Sequence, residues 1–267
     1  MNTFALSLSA ILLYIAAASS HKYKYRVGAA ASPKHLLLLL GGLAVCLHAL
    51  VLYQNMVIPA GLNIGFFNAS SLMAWVIAVL LLLSVLRQPV ENLAIVIFPL
   101  AALTIGLESI FYSERILPAN QPYGITLHIL FSFIAYGLLS ISALQALFLA
   151  YQDHQLRHKH PGWVIQILPP LQVMEKLLFQ MIAVGFLLLS LSLISGIIFL
   201  EDIFAQHLVH KTVLSIVAWC VFGMLLWGHW RYGWRGKKAI RWNISGFLVL
   251  MLAYFGSKMV LELILQR

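Results

Sequence analysis

Charged side chains are scarce in this sequence. Asp, Glu, Lys and Arg together make up 9% of the 267 residues, whereas apolar residues make up 62% and the mean hydropathy is +0.93. Soluble domains carry about 25% charged residues, and no soluble core could absorb so much apolar surface. The composition therefore excludes a soluble globular protein and predicts an integral membrane protein.

Cysteines and the common catalytic signatures are also scarce or lacking. The two cysteines, Cys46 and Cys220, lie far apart inside apolar segments, so we expect small buried residues rather than a disulfide. No C-x-x-C-H or paired C-x-x-C sequence occurs, and neither does G-x-x-x-x-G-K-[ST], H-E-x-x-H or G-x-S-x-G. These absences exclude the usual nucleotide-binding, zinc-protease and hydrolase signatures, and they argue against a hydrolytic enzyme.

Eight apolar windows are long enough to cross the hydrocarbon core of a membrane. A span requires roughly 20 mostly apolar residues, and it must be helical because lipid cannot satisfy an open backbone. We therefore predict an all-α polytopic transmembrane helical bundle that forms a single integral-membrane domain over residues 1–267. The predicted spans are Thr3–Ser20, Leu36–Gln54, Asn68–Leu86, Asn92–Phe111, Tyr123–Ala150, Leu178–Leu200, Thr212–Arg231 and Trp242–Glu262.

Lys and Arg are distributed unevenly between the two sides of these spans. Thirteen of the 17 lie in the connections after spans one, three, five and seven, and the other four lie on the opposite side. Because basic loops remain in the cytoplasm, both termini are predicted to face the outer, extracytoplasmic side. Basic loops beside anionic lipid also explain the net charge of +9, so we expect the lipid bilayer, not nucleic acid, as partner.

The longest hydrophilic stretch runs from Tyr151 to Lys176. It contains a Pro-Gly pair and a Pro-Pro pair on either side of the apolar run 163–168. Such residues break regular structure. We predict a cytoplasmic loop with an interfacial patch, too short to be a catalytic domain.

Histidine, by contrast, is plentiful. The chain has ten, and a ligating or ionisable side chain inside a bilayer is a functional hypothesis by default. His207 and His210 lie on an outer connection together with Glu201 and Asp202. The default interpretation of this connection is a solvated loop, and the alternative is contact with a ligand or a metal. Five lie in or beside predicted cytoplasmic loops, where a solvated role is favoured: His21, His35, His154, His158 and His160.

Two further histidines are predicted to share one layer of the membrane. His48 lies before the outer end of span two, and His128 follows the outer start of span five. At 1.5 Å per residue, both lie roughly 8 to 9 Å below the outer helix ends. Two neutral imidazoles at one depth could supply both axial ligands of a haem. Alternatively, each simply hydrogen-bonds a neighbouring helix.

The last histidine, His229, belongs to the opposite layer. It lies in LLWGHWRYGWRGKK near the cytoplasmic end of span seven, among tryptophans and basic residues that are also typical of interfacial anchoring. Glu108, near the outer end of span four, is the one carboxylate that we place inside the membrane. Its partner could be His48 or His128.

Several stretches of the chain, taken in order, resemble one known family. They are CLHALVLY and GLNIGFFNASSLMAW (46–53 and 61–75), TLHILFSFIAYGLL (126–139), LPPLQVMEKLLFQMIAVGFLLLSLSLISG (168–196) and AWCVFGMLLWGHWRYGWRGKKAIRWNISGFLVLMLAYFG (218–256). Together they resemble the cytochrome c assembly family of haem-handling membrane proteins, of the CcsA and CcmC type, over about residues 36–265. The nearest resemblance is to its short YpjD-like branch, which implies a multi-pass protein of the bacterial inner (cytoplasmic) membrane.

The resemblance gives a meaning to three histidines. His128 corresponds to the family's outer histidine, proposed as an axial haem ligand, and His229 corresponds to its transmembrane histidine. His48 matches a recurrent histidine of the family. The resemblance thus implies haem b as the cofactor, no metal other than the haem iron, and other cytochrome c biogenesis proteins as partners.

The chain departs from the family in one segment. The family's outer haem platform, W-G-x-Y-W-x-W-D-P-K-E, should fall between Gly196 and Trp219, where this chain reads IIFLEDIFAQHLVHKTVLSIVAW. A second outer histidine is expected after the last span, and no histidine follows Gly256.

These observations leave three functions to compare. The favoured one is a non-hydrolytic, haem-binding membrane protein that handles haem during cytochrome c biogenesis, that is, cytochrome complex assembly. The alternative is a divergent member without haem, an ion or proton transporter or an accessory membrane subunit, in which Glu108 and the histidines relay ions. A bis-histidine electron carrier is least favoured, because only His35 could share the depth of His229.

Overall fold

The computed structural model describes residues 3–27, 33–59, 61–111, 115–117, 122–158, 168–199 and 209–256, and the side chains of these residues except 21–33 and 117. Within these ranges, eight helices are long and apolar enough to cross a membrane. The predicted polytopic helical bundle is thereby confirmed. The orientation of its termini stays a prediction from the Lys and Arg distribution.

Each predicted span corresponds to one helix. A short 3-10 turn, Glu91–Leu93, leads into the fourth helix, and the eighth continues as a π-helical turn, Leu252–Gly256. The helices are α1 Thr3–Val27, α2 Pro33–Met56, α3 Phe66–Arg87, α4 Ala94–Ile110, α5 Tyr123–Arg157, α6 Leu171–Phe199, α7 Val209–Tyr232 and α8 Gly236–Met251.

A small sheet, which the all-α prediction did not include, lies in the connections that follow α2 and α4. Its strands are β1 Val57–Ile58, β2 Gly61–Asn63 and β3 Ile116–Leu117, all antiparallel, with β2 in the middle. The carboxamide oxygen of Asn63 accepts hydrogen bonds from the backbone N–H groups of Gly65 and Arg115, both at 3.0 Å. This side chain therefore connects the chain entering α3 with the chain following α4.

The helices belong to two compact units, α1 to α4 in the first and α5 to α8 in the second. In the first unit the rings of Tyr14 and Phe98 are fully buried, with centroids 5.3 Å apart. Gly41 makes room for this core, because a Cβ atom there would lie 2.9 Å from Cζ of Phe98. Small residues allow such close approach between membrane helices.

In the second unit α5 packs against α6 and α8, and α7 packs against the same two helices. Gly185 of α6 accommodates Leu139, which a Cβ atom would approach to 2.8 Å. A buried polar pair joins α5 to α8, because Asn243 donates to the carbonyl oxygen of Ser142 at 3.0 Å. Interhelical hydrogen bonds of this kind are a usual source of specificity between membrane helices.

The structure differs from two predictions made from the sequence. The helices α5 and α6 extend into the stretch from Tyr151 to Lys176, so the loop between them is shorter than predicted; residues 159–167 lie outside the described residues. Both cysteines are unpaired, as expected, but Cys46 and Cys220 are exposed on the helix surfaces rather than buried. Since lipid is itself an apolar solvent, a thiol on a membrane helix does not need protein around it.

Candidate functional site

The imidazole of His128 is oriented by the neighbouring helix. His128 lies in the second turn of α5, and its Nδ1 atom lies 2.8 Å from the backbone carbonyl oxygen of Ser192 in α6. A carbonyl oxygen only accepts, so Nδ1 must carry a proton, and in the neutral form of the ring the lone pair is on Nε2. Within the described part of the chain, Nε2 has no hydrogen-bond partner, and the side chain is partly exposed.

Three serines surround this histidine and form a polar seam between α5 and α6. The hydroxyl of Ser132 lies 2.7 Å from the hydroxyl of Ser192, and it also donates to the carbonyl oxygen of His128 at 2.6 Å. The Ser195 hydroxyl lies 3.3 Å from Nδ1 of His128. Gly196 packs directly under the ring, since a Cβ atom there would lie 3.1 Å from Cε1 of His128. The ring thus has a defined position and a defined tautomer.

His229 has the same arrangement at the far end of its unit. It lies in the last turn of α7, with Nδ1 2.9 Å from the backbone carbonyl oxygen of Trp234, and its ring stacks on Phe179 at a centroid distance of 3.5 Å. Its Nε2 atom is likewise without a hydrogen-bond partner among the described residues. Both rings therefore present an available Nε2.

The turn that follows α7 depends on two glycines. Gly233 and Gly236 have φ values of +64° and +54°, a left-handed conformation that L-residues with side chains rarely adopt. The turn places Trp234 against Gly228 and under the ammonium of Lys238, which lies 3.6 Å from the indole ring centroid. The sequence GWRGKK therefore builds a rigid support for the carbonyl group that orients His229.

His48 is held quite differently. It is fully buried in α2 of the first unit, with 0% of its side chain exposed. Its Nδ1 atom lies 3.2 Å from the hydroxyl of Tyr14 in α1, and its Nε2 atom lies 2.9 Å from the hydroxyl of Ser71 in α3. Both ring nitrogens are engaged, and the imidazole joins three helices.

The hydrogen bonds of the three histidines differ in how well they suit an axial ligand of haem. A ligating histidine uses one ring nitrogen for the metal and usually donates the other N–H to a carbonyl or carboxylate oxygen. His128 and His229 fit this requirement. His48 does not fit, because both its nitrogens are bonded within the first unit and no surface of its ring is accessible. Its geometry matches the other sequence interpretation, a hydrogen bond between helices.

Glu108 is buried in the last turn of α4, as expected for an intramembrane carboxylate. The neighbour that binds it is Asn55, whose amide donates to Oε1 at 2.9 Å, rather than either of the histidines considered from the sequence. Among the described residues, no group of three or more His, Cys, Asp or Glu side chains could hold a metal ion.

Four other histidines have side chains that the structure describes. The described ones have exposed side chains: His35, His154, His158 and His210. His160 and His207 lie outside the described residues together with Glu201 and Asp202, and the side chain of His21 is also outside them.

Sequence reasoning found the histidines but missed the groups that orient them. The Ser192 carbonyl is a backbone atom, so no residue type indicates it. A weak signal existed in Ser192 and Ser195, whose spacing of three places both on one face of a helix. Tyr14 and Ser71 carry no signal of this kind, because only the packing of α1, α2 and α3 brings them to His48.

The sequence of this chain is similar to one family model and to several known proteins. Residues 36–265 match the model of a family described as Cytochrome C assembly protein. The chain is 34% identical over 225 residues to the inner membrane protein YpjD of Escherichia coli (strain K12), a match that covers 83% of this chain and 85% of the relative. Together with the eight helices, these matches identify a multi-pass inner-membrane protein.

More distant relatives match over parts of the chain. The protein HemX of Bacillus subtilis (strain 168) is 29% identical over 136 residues, which cover 49% of this chain and 48% of HemX. The cytochrome c biogenesis protein CcsA of Prochlorococcus marinus (strain NATL1A) is 31% identical over 85 residues, which cover 31% of this chain and 27% of CcsA. No solved structure matches the chain.

Proposed function

The chain belongs to the cytochrome c assembly protein family, and from that premise we propose that it binds haem and passes it on during cytochrome c biogenesis, with His128 as an axial ligand. Family membership supports a role related to cytochrome c biogenesis. The haem and the ligand role of His128 are the proposal.

The observation that carries this proposal is the bond between His128 and Ser192. It commits Nδ1 to a carbonyl oxygen and leaves the Nε2 lone pair available on a partly exposed ring. Neutral imidazole is a common protein ligand of haem iron. A carbonyl acceptor on the second nitrogen raises the basicity of the ligand and fixes its orientation.

His229 supports a second, inner position for haem. It has the same Nδ1 bond to a carbonyl oxygen, and the flat ring of Phe179 supports one face of its imidazole. Because α5 and α7 cross the membrane in the same direction, with His128 near the start of one and His229 near the end of the other, their depths differ by roughly 20 Å. We therefore assign His229 to a site separate from that of His128.

These contacts indicate how each residue would contribute to haem binding. His128 offers Nε2, Ser192 and Ser195 hold its Nδ1–H in place, and Gly196 leaves space for the ring. Haem, if bound, would supply the iron centre. These residues would hold and orient it. His48 is not a ligand in this proposal, since both its nitrogens are engaged.

The test is an absorption spectrum of the full-length protein, purified from haem-replete cells in mild detergent. We expect the Soret band of a b-type haem and a haem content that is measurable by pyridine haemochrome. A haem-free spectrum from such cells would reject the proposal. It would favour the alternative of a haem-free transporter or accessory subunit.

A further inference from the structure

A polar cavity of about 400 Å³ lies in the first unit, at the helix ends that adjoin the small sheet. It is lined by the start of α1, the end of α2, the segment entering α3 and the end of α4. The described lining side chains are one carboxylate, four amides, three hydroxyls and two phenyl rings, with no Lys, Arg or His among these described residues. This end of the unit is the one predicted to face outward.

The carboxylate in this lining, Glu108, is incompletely satisfied. Its side chain is only 8% exposed, Oε1 accepts from the Asn55 amide, and the buried Oε2 atom has no partner among the described residues. Ser7, on α1, lines the same cavity with a buried hydroxyl that also lacks a partner, and it is 3% exposed. Two buried polar atoms without partners beside one cavity indicate a missing ligand, because a buried polar group that is left unpaired destabilises the fold.

The surroundings of Glu108 favour a positively charged ligand. A buried carboxylate requires a cation or a proton. Glu108 also lies in the last turn of α4, where the negative end of the helix dipole adds to its own charge and further favours a cation. Among the described residues of the lining, Glu108 is the only carboxylate, and a ligand with a single positive charge balances it.

We propose that this cavity binds a small organic monocation, with its ammonium group beside the carboxylate of Glu108. The volume of about 400 Å³ is far larger than a bare ion needs and lies in the range of small-molecule pockets. The amides and hydroxyls can both donate and accept hydrogen bonds, so they suit a ligand with polar groups of its own. The rings of Phe4 and Phe111 provide apolar and cation–π contacts.

The site is independent of the proposed haem function. It lies in the first unit, whereas His128 and His229 belong to the second. Haem content and amine binding can thus be measured separately, and either proposal can fail alone.

The experiment is isothermal titration of the full-length protein in nanodiscs with tyramine, its neutral analogue tyrosol, and NaCl at matched ionic strength. Tyramine and tyrosol differ by one ammonium in place of one hydroxyl, so the pair isolates the charge. We expect saturable binding of tyramine, no binding of tyrosol, and affinity for tyramine reduced at least about tenfold in Glu108→Gln. The matched control, Glu91→Gln, changes a carboxylate of the same unit that does not line the cavity and should leave binding unchanged.

A second variant keeps the test decisive if Glu108→Gln does not fold. Ser7→Ala removes only one unpartnered hydroxyl from the lining and should weaken tyramine binding about two- to fivefold. Equal binding of tyramine and tyrosol, equal heats with NaCl, or full affinity in either cavity variant would overturn the proposal.

Discussion

The Nδ1 atom of His128 lies 2.8 Å from the carbonyl oxygen of Ser192, and this bond connects the outer part of α5 to α6. It settles which nitrogen of the ring carries the proton, because the partner can only accept. His229 and Trp234 have the same relationship at 2.9 Å near the end of α7. The imidazoles of His128 and His229 thus have an available Nε2 atom, whereas the imidazole of His48 does not.

A substitution beneath the ring tests whether the position of His128 matters. A Cβ atom at Gly196 would lie 3.1 Å from Cε1 of His128, so Gly196→Val should displace the ring and lower the haem content at least about fivefold. Pyridine haemochrome per mole of protein measures this. Gly106→Val is the matched control, since a Cβ atom at Gly106 meets nothing within 4 Å. Equal haem content in both variants would contradict a ligand role that depends on ring position.

His48 should matter for stability and not for haem. Its removal in His48→Ala leaves the hydroxyls of Tyr14 and Ser71 without their buried partner. We expect a loss of about 2–4 kcal/mol in the free energy of unfolding, measured by titration with SDS, and an unchanged Soret band per folded protein.

Tyr14→Phe provides the graded comparison for His48. It removes one of the two hydrogen bonds and should cost about 1–2 kcal/mol, again without effect on the haem spectrum. If His48→Ala removed the Soret band and left stability unchanged, His48 would be a haem ligand, which is one of the two interpretations that the sequence leaves open.

The turn after α7 should depend on its left-handed glycines. Gly236→Ala places a side chain at φ +54° and should cost about 1 kcal/mol of unfolding free energy, although the added Cβ atom itself would meet nothing within 4 Å. Gly42→Ala, in open space within α2, should be neutral or slightly stabilising. SDS unfolding curves of the two variants measure the difference. Indistinguishable curves would show that the conformation of the turn is not strained by alanine.

Features that depend on residues close together in the chain can be predicted from the sequence more easily than features that depend on distant residues. Hydropathy is local, so the eight spans could be located, to within a few residues at most ends. Span five extends to Arg157, beyond its predicted end at Ala150, because Arg157 pairs with Asp153 one turn earlier and supports a polar last turn. The sheet was missed because its strands are only two or three residues long.

The candidate site could be predicted only in part, for a physical reason. Histidines in an apolar chain are conspicuous, but their chemistry depends on which atoms the neighbouring helices present to them. The depth in the membrane that the sequence predicts is the same for His48 and His128. The contacts separate them, because His48 meets two hydroxyls and His128 meets a carbonyl oxygen.

The predicted orientation of the chain has its own test. With the basic connections in the cytoplasm, a protein fused after Arg267 lies outside. Alkaline phosphatase fused there should be active and green fluorescent protein dark, while fusions placed after Arg87, in the connection following α3, should give the reverse. Active phosphatase at the Arg87 position would show that the topology is the reverse of the predicted one and that His128 lies on the inner side.

The absorption spectrum of His128→Gly, recorded with and without added imidazole, tests the central claim most directly. We expect a haem content reduced at least about tenfold and restored by millimolar imidazole, which occupies the space left by the side chain and offers the same nitrogen to the iron. His35→Gly, which removes an exposed histidine, should keep the full Soret band without imidazole. A wild-type Soret band and haem content in folded His128→Gly would show that His128 is not a haem ligand.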